Sequence, residues 1–338
     1  MFINTVSKIP PDSPQLSIVI PAYNEAESLP VLLEQIQVVL KTHAYHRAEV
    51  IIINDGSTDA TAEVLDVLSA QPQQPPIRVI HFRRNQGKAE ALMAGFAAAT
   101  GYIVITMDAD LQDDPGEIPK LLDTLNTENY DVVSGWKYPR KDPLEKRVFS
   151  FFFNRITAFF TGVKLHDINC GFKAYRAEVV KELHLYGDLH RYIPILAHQA
   201  GYKVGEVKVK HHPRRFGVSK YGFKRIPKGF FDLFTVLFLT KYLKRPLHVF
   251  GTIGAVVAFI GVLIGLYLAV LWVIEDGVGF RPLLMLSVLM IILGIQFFSI
   301  GLLGELVIGL ISRLERRVIG KKTDAERTPR PSANTEKP

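Results

Sequence analysis

Val249 to Ile274 contains no charged residue, and neither does Pro282 to Gly304. As α-helices rising about 1.5 Å per residue, both runs are long enough to cross a bilayer core of about 30 Å. Glu275 to Arg281 joins them as a short polar turn, so the pair reads as a helical hairpin. Lys241, Lys244 and Arg245 precede the first run; Arg313, Arg316, Arg317, Lys321 and Lys322 follow the second. The positive-inside rule then places both ends in the cytoplasm. Glu305 falls in the last turns of the second run, within reach of the interface or a partner helix. The competing reading is two buried helices of a soluble core.

The formal net charge is +7. The basic residues cluster beside apolar membrane elements, which argues against nucleic acid as their partner. Cys170 is the single cysteine, so no internal disulfide is possible. The N-terminus lacks a basic stretch followed by an apolar one, so no signal peptide is expected. Both points agree with a cytoplasmic catalytic part in a multi-pass protein of the inner (plasma) membrane. The tail from Lys321 is polar and proline-bearing and is expected to be disordered.

The first 210 or so residues alternate strand and helix signals. Leu16–Ile20, Val50–Ile53, Arg78–Phe82, Tyr102–Met107 and Asp131–Val133 read as strands. Leu29–Leu40, Ala60–Leu68 with Asp59 as N-cap, Lys88–Ala99 and Ile118–Leu125 read as helices. Short continuous apolar strands separated by helices predict a parallel sheet covered on both faces. Ligands of such sheets bind beyond the carboxyl ends of the strands. Here those ends carry Pro21 to Glu25, Asn54 to Ser57, Arg83 to Lys88 and Asp108 to Gln112.

Asp108-Ala109-Asp110 ends a buried strand in two carboxylates whose like charges repel, which favours a divalent cation such as Mg²⁺ or Mn²⁺. A solvated acidic turn is the plain alternative. Asp55 is placed to accept hydrogen bonds from a base or a ribose hydroxyl, and Gly56 permits close backbone approach; an ordinary Asp-Gly turn is the alternative. Arg83, Arg84 and Lys88 can face a diphosphate, with Gly87 opening a helix whose N-terminus suits an anion. Neither a G-x-G-x-x-G nor a P-loop motif is present.

Taken in order, S-I-V-I-P-A-Y-N-E, I-I-N-D-G-S-T-D-A-T, R-R-N-Q-G-K-A-E-A-L-M-A-G and D-A-D-L-Q-D-D-P resemble family 2 glycosyltransferases. More narrowly, the chain resembles the polyprenyl-phosphate glycosyltransferases, which include dolichol-phosphate mannose synthases and the GtrB and ArnC groups. The resemblance spans roughly residues 16 to 310. It implies an α/β GT-A fold, a mostly parallel sheet with helices on both faces, plus interfacial amphipathic helices and a C-terminal two-helix transmembrane hairpin. The expected division is an N-terminal extension to residue 14, a GT-A catalytic domain over 15–221, an interfacial helix over 222–245, two transmembrane helices over 246–312 and a basic tail over 313–338.

The resemblance also implies roles. Pro21, Tyr23, Glu25, Asp55, Lys88 and Asp108 are expected to hold the donor nucleotide. Asp108, Asp110 and Gln112 are expected at the metal and diphosphate. Lys137, Arg140, Lys146, Arg147 and Ser150, then Arg214, Ser219 and Lys220, match the segments that handle the lipid phosphate. Many relatives carry Arg where this chain has Lys137, which offers a point charge rather than a fork. Asp110 and Asp167 are the expected catalytic carboxylates, Asp167 as a ligand of sugar hydroxyls, with a role as base the alternative. Asn169, Gly171 and Lys173 share its motif.

Two aromatic-rich segments support a lipid acceptor. Phe149 to Phe160 follows Lys146 and Arg147; Phe223 to Phe234 follows Arg214, Arg215 and Lys220. Such segments suit a membrane interface; core packing is the alternative. The implied reaction is inverting transfer of a sugar, with UDP-glucose the leading donor, to undecaprenyl or a similar polyprenyl phosphate. The phosphate is largely anionic at neutral pH, its second pKa being about 6, so no strong base is needed. A processive polysaccharide synthase is disfavoured because Q-x-x-R-W is absent. A non-catalytic scaffold is disfavoured by the intact Asp-Ala-Asp, and a transporter by too few spans unless a homo-oligomer supplied more.

Overall fold

The computed structural model describes residues 15–71, 75–138, 154–159, 161–213, 246–274 and 282–325. The chain divides into two compact units, Met1–Val236 and Leu237–Pro338.

In the first unit strands and helices alternate in chain order: β1 (Leu16–Ala22), α1 (Ser28–Thr42), β2 (Ala48–Asn54), α2 (Thr61–Ala70), β3 (Ile77–His81), α3 (Lys88–Ala98), β4 (Ile103–Thr106), α4 (Ile118–Thr127) and β5 (Val132–Lys137). Then follow β6 (Lys173–Arg176), α5 (Ala177–Glu182), α6 (Ile193–Gln199) and β7 (Val204–Val209). One seven-stranded sheet forms in the order β3-β2-β1-β4-β6-β5-β7. Neighbours run parallel except β6, which is antiparallel to β4 and β5. The expected mostly parallel sheet is present, and β6 and β7 are the strands the pattern did not reveal.

β1 and β2 are buried nearly end to end, as strands covered on both faces must be. α1 turns Leu29, Leu32, Leu33, Ile36 and Leu40 inward at helical spacing. α2 starts at Thr61, one residue later than expected, and Asp59 still serves its N-terminus by accepting from the Thr61 N–H (3.0 Å). β2 starts two residues before the apolar run because Glu49, though charged, is buried and satisfied. Its Oε1 accepts from the Ser17 hydroxyl (2.6 Å), the Thr100 hydroxyl (2.7 Å) and the Thr100 N–H (2.8 Å). This polar pin closes the amino ends of β1 and β2, opposite the edge where ligands bind.

The second unit pairs α7 (Thr252–Ile274) with α8 (Pro282–Ala325). Both stretches are long and apolar enough to cross a membrane, and only 11% of each apolar window is buried. That exposure suits lipid and not the core of a soluble fold. Glycine brings the two backbones together: a Cβ built at Gly254 would lie 2.5 Å from the Gly294 carbonyl oxygen. Ser287 donates its hydroxyl to the Gly261 carbonyl (2.8 Å). Glu305 is exposed, and it accepts from the Leu247 N–H (3.4 Å) within this unit. α8 continues to Ala325, so the first residues of the tail expected to be disordered are helical. Leu, Glu, Arg and Lys are good helix formers, and they extend the run past the apolar span.

Candidate active site

Four strand ends build the site. At β1, Asn24 adopts a left-handed conformation (φ +56°). Its backbone N–H donates to Ser57 Oγ (2.9 Å), and its side-chain oxygen accepts from the Thr58 N–H (2.8 Å). These bonds tie the loop carrying Tyr23 and Glu25, just after Pro21 at the end of β1, to the loop after β2. Glu25 accepts from the Ser28 hydroxyl (2.8 Å) and so also serves the start of α1.

Asp55, buried at the end of β2, accepts from the Gln86 N–H (2.7 Å) and the Gly87 N–H (3.0 Å). The carboxylate expected to read the nucleotide therefore also fixes the basic loop before α3. Gly56, at φ +62°, lies so close to that loop that a Cβ on it would sit 2.3 Å from the Arg84 carbonyl carbon. The basic loop is thus held by side chain and by steric fit. It ends at Gly87 (φ +97°), from which α3 starts with Lys88 as its first residue.

Lys88 forms an ion pair with Asp108 Oδ1. Burial alone would raise the Asp108 pKa, but Lys88 and Lys137 outweigh it and hold the carboxyl well below its usual range. The backbone of Gly171 abuts the same carboxylate; a Cβ there would fall 2.6 Å from Asp108 Oδ2 and 2.8 Å from Oδ1. The Thr106 hydroxyl holds that backbone by donating to the Gly171 carbonyl (2.8 Å). Asp110 Oδ1 accepts from the Gln112 N–H (3.2 Å), with Leu111 between them at φ +59°. The Gln112 carbonyl accepts from the His212 N–H (2.9 Å). The backbone of Gln112 thus positions Asp110 and anchors a strap after β7.

Beneath lies a set of buried polar groups, of which the sequence pattern missed Asp113 and His190. Asp113 lies 3.3 Å from Lys137 Nζ, and its other oxygen accepts from the Asp108 N–H (3.4 Å). Burial alone would lower the Lys137 pKa; Asp113 foremost, with Cys170, Asp108 and Asp167, raises it above its usual value. Lys137 is therefore a firm cation engaged with protein carboxylates, although sequence placed it at the acceptor phosphate. Asp167 is buried in the same charge field. Lys173 donates to the Cys170 carbonyl, and burial pushes its pKa down. Burial drives the Cys170 thiol up to about 12. Burial and the nearby Lys88 hold His190 down to about 3, so its imidazole is neutral at physiological pH. Asp113 sits in the D-L-Q-D-D run and could have been singled out; Lys173 was noted only as part of the Asp167 motif, and His190 carried no pattern.

A divalent cation fits this donor set. Asp108 and Asp110 offer hard oxygens, Asp108 is ionised, and its Oδ1 already carries the positive ammonium of Lys88. Among the described residues no group of three His, Cys, Asp or Glu side chains could hold a metal by itself. The ligand shell would thus need oxygens from elsewhere, which a donor diphosphate has. Lys146, Arg147, Ser150, Arg214 and Lys220, with Arg140 and Ser219, lie outside the described residues, as does the second aromatic segment. Of the first, residues 154–159 are helical, with Ile156 and Phe159 exposed.

The profile described as "Glycosyl transferase family 2" matches residues 17–184, which hold all four strand ends. A dodecaprenyl-phosphate galacturonate synthase of Rhizobium johnstonii is 37% identical over 308 residues, 88% of this chain and 89% of its own. The chain belongs to glycosyl transferase family 2. Within it, this glycosyltransferase groups with the polyprenyl-phosphate enzymes. An undecaprenyl-phosphate 4-deoxy-4-formamido-L-arabinose transferase of Yersinia enterocolitica is 35% identical over 93% of this chain and 95% of its own. The glucosyl-3-phosphoglycerate synthase of Mycobacterium tuberculosis, solved with Mn²⁺, UDP-glucose and phosphoglyceric acid, overlays 67% of this chain and 79% of its own. The TM-score is 0.52 at 19% identity, which establishes the shared GT-A fold.

Proposed function

We propose that this glycosyltransferase moves a sugar from a nucleoside diphosphate donor, with uridine as the base, to polyprenyl phosphate at the cytoplasmic face of the inner membrane. The observation that carries the reading is the junction, at one sheet edge, of the Asp55-held basic loop with the Asp108–Asp110 carboxylates. A basic loop and an ionised carboxylate pair suit a diphosphate and its cation. The two membrane-length helices and the polyprenyl phosphates in the relatives' names support the lipid acceptor.

Glucose, the sugar expected from sequence, has no counterpart in those names, which specify galacturonate and 4-deoxy-4-formamido-L-arabinose. We therefore place the donor among nucleotide-linked uronates and modified arabinoses. Asp108 and Asp110 would hold Mg²⁺ or Mn²⁺, which supplies positive charge to the leaving diphosphate when bound. Arg83, Arg84 and Lys88 orient the donor phosphates. A phosphate oxygen of the acceptor attacks the anomeric carbon from the face opposite the diphosphate, and the configuration inverts. Asp167 binds sugar hydroxyls. The test is a panel of nucleotide sugars with full-length protein, undecaprenyl phosphate and Mn²⁺. A uronate or arabinose sugar should pass into the organic phase, and EDTA should stop it. If no donor yields a lipid-linked sugar, the reading fails.

A further inference from the structure

We infer that Lys88 is a built-in occupant of the cation site, an ammonium that holds Asp108 until a donor diphosphate draws it away and a divalent ion takes its place. The inference rests on the reading of Asp108 and Asp110 as the cation site and goes beyond it, because it makes metal binding conditional on the nucleotide.

Three observations carry it. First, Lys88 and Asp108 are in direct ionic contact through Oδ1. A divalent ion on that carboxylate would lie within a few ångströms of the ammonium, where the repulsion between the two is large. Only one can stay. Second, Asp108 has little room to turn away, because the Gly171 backbone packs so close to the carboxylate that a Cβ there would lie 2.6 Å from Oδ2 and 2.8 Å from Oδ1, and the Thr106 hydroxyl holds that backbone in place. Both cations are confined to the same side of the carboxylate. Third, the main chain under Lys88 is fixed. Asp55 grips the N–H groups of Gln86 and Gly87, and Gly56 wedges the loop at Arg84. The exchange is therefore a movement of the lysine side chain alone.

The destination of that movement is nearby. Lys88 is the first residue of an eleven-residue helix, and the open N–H groups of the first turn favour an anion at that point. A diphosphate placed there gives the ammonium a second partner of like charge to Asp108. It also provides the oxygens that the two carboxylates lack for a full metal shell. Donor arrival thus removes a competitor and completes the ligand set at one stroke, so nucleotide and metal bind with positive coupling. By linkage the coupling is the same in either order.

The test is Mn²⁺ binding to the full-length protein in detergent, read by the loss of the free-ion EPR signal, with and without UDP. Wild type should bind Mn²⁺ weakly alone and far more tightly with UDP. Lys88→Met and Lys88→Gln should bind Mn²⁺ without nucleotide about tenfold or more tighter than wild type, the worth of one charge-assisted contact. Lys88→Arg, which keeps a cation, should stay near wild type. Arg84→Gln removes a charge from the same loop without touching Asp108 and should change nucleotide-free affinity by about twofold at most, which separates direct occupancy from the general field of the loop. Unfolding or a merely structural role for Lys88 would weaken Mn²⁺ binding, the opposite sign. If both neutral variants bind Mn²⁺ alone no better than wild type, the inference is wrong and the cation site survives, provided that wild type binds Mn²⁺ with UDP and Asp110→Asn does not. If wild type fails to bind Mn²⁺ even with UDP, the site and the inference fall together.

Discussion

Lys137 closes β5 with its ammonium 3.3 Å from the carboxylate of Asp113, which stands five residues after Asp108 and accepts a hydrogen bond from the Asp108 N–H. The pair joins two segments far apart in sequence: the carboxylate loop and the exit of β5, from which the expected acceptor-binding stretch departs. A third segment meets it, since Asp113 forms a β-bridge with His211 in the strap that leads to Arg214. The pair is a clasp that joins the carboxylate loop to the end of β5 and to the strap after β7.

Removing one member leaves a buried charge with its counter-ion gone. Lys137→Met and Asp113→Asn should each destabilise the catalytic unit by about 3–5 kcal/mol, and the double variant by much less than their sum. Denaturant unfolding of the four proteins gives the coupling. If Lys137 instead binds the acceptor phosphate and contributes nothing to the clasp, Lys137→Met will raise the acceptor KM without loss of stability, and the energies will add.

A methyl group added at Gly171 would meet both oxygens of Asp108, at 2.6 and 2.8 Å. Gly171→Ala should leave the fold intact, because the methyl points into the site and not into the core beneath it. The carboxylate must shift. A misplacement on the order of 1 Å in a catalytic group costs about a hundredfold in rate. Transfer should fall by that order while thermal stability changes little. Wild-type turnover in Gly171→Ala would show that the position of Asp108 is not critical.

Much of this was legible in the sequence, for reasons that particular residues make clear. β1, β2 and β4 are apolar runs that end in polar residues, so their carboxyl ends could be aligned before any contact was known. At that edge the structure joins the loops after β1 and β2 through Asn24, the loop after β3 to Asp55, and Lys88 to Asp108. β6 was not legible, because four residues beginning with Lys173 and ending with Arg176 read as polar; only the fold shows that Lys173 is buried. Nor could the pairing of Lys88 with Asp108 or of Lys137 with Asp113 be read from composition. A cation near an anion site suggests a ligand contact, and only coordinates reveal that the protein's own carboxylates have taken it.

Glu49 offers a test remote from the chemistry. Its carboxylate accepts three hydrogen bonds from Ser17 and Thr100 at the amino ends of β1 and β2. Burial alone would raise its pKa, but these bonds prevail and lower it. A carboxyl whose folded pKa lies below its unfolded value, about 4.3, contributes stability above that pH and loses it as the pH falls through the folded value. Glu49→Gln should therefore cost about 2 kcal/mol at pH 7, the worth of a charge-assisted contact. The cost should shrink in strongly acidic solution, where wild-type Glu49 becomes neutral. Melting curves at pH 7 and below pH 4 decide this; an equal deficit at both would mean that the charge is not what the network stabilises.

The membrane unit has its own weak point. Gly294 packs so tightly on α7 that a Cβ there would lie 2.5 Å from the Gly254 carbonyl and 2.6 Å from the Ala258 methyl group. Interhelical packing of this kind rests on small residues, since lipid gives apolar side chains no reason to prefer a neighbouring helix. Gly294→Leu forces α7 and α8 apart and breaks the Ser287 bond to Gly261 as they separate. The catalytic unit contains its own sheet and core. The variant should therefore extract and aggregate abnormally in detergent, yet bind UDP in the presence of Mn²⁺ within about twofold of wild type, as expected of a catalytic unit that folds on its own core. Calorimetry on the monodisperse fraction measures the second quantity, and size-exclusion profiles the first. A variant with normal detergent behaviour would show that the glycine contact is dispensable; one that loses UDP binding in step with aggregation would show that the two units do not fold independently.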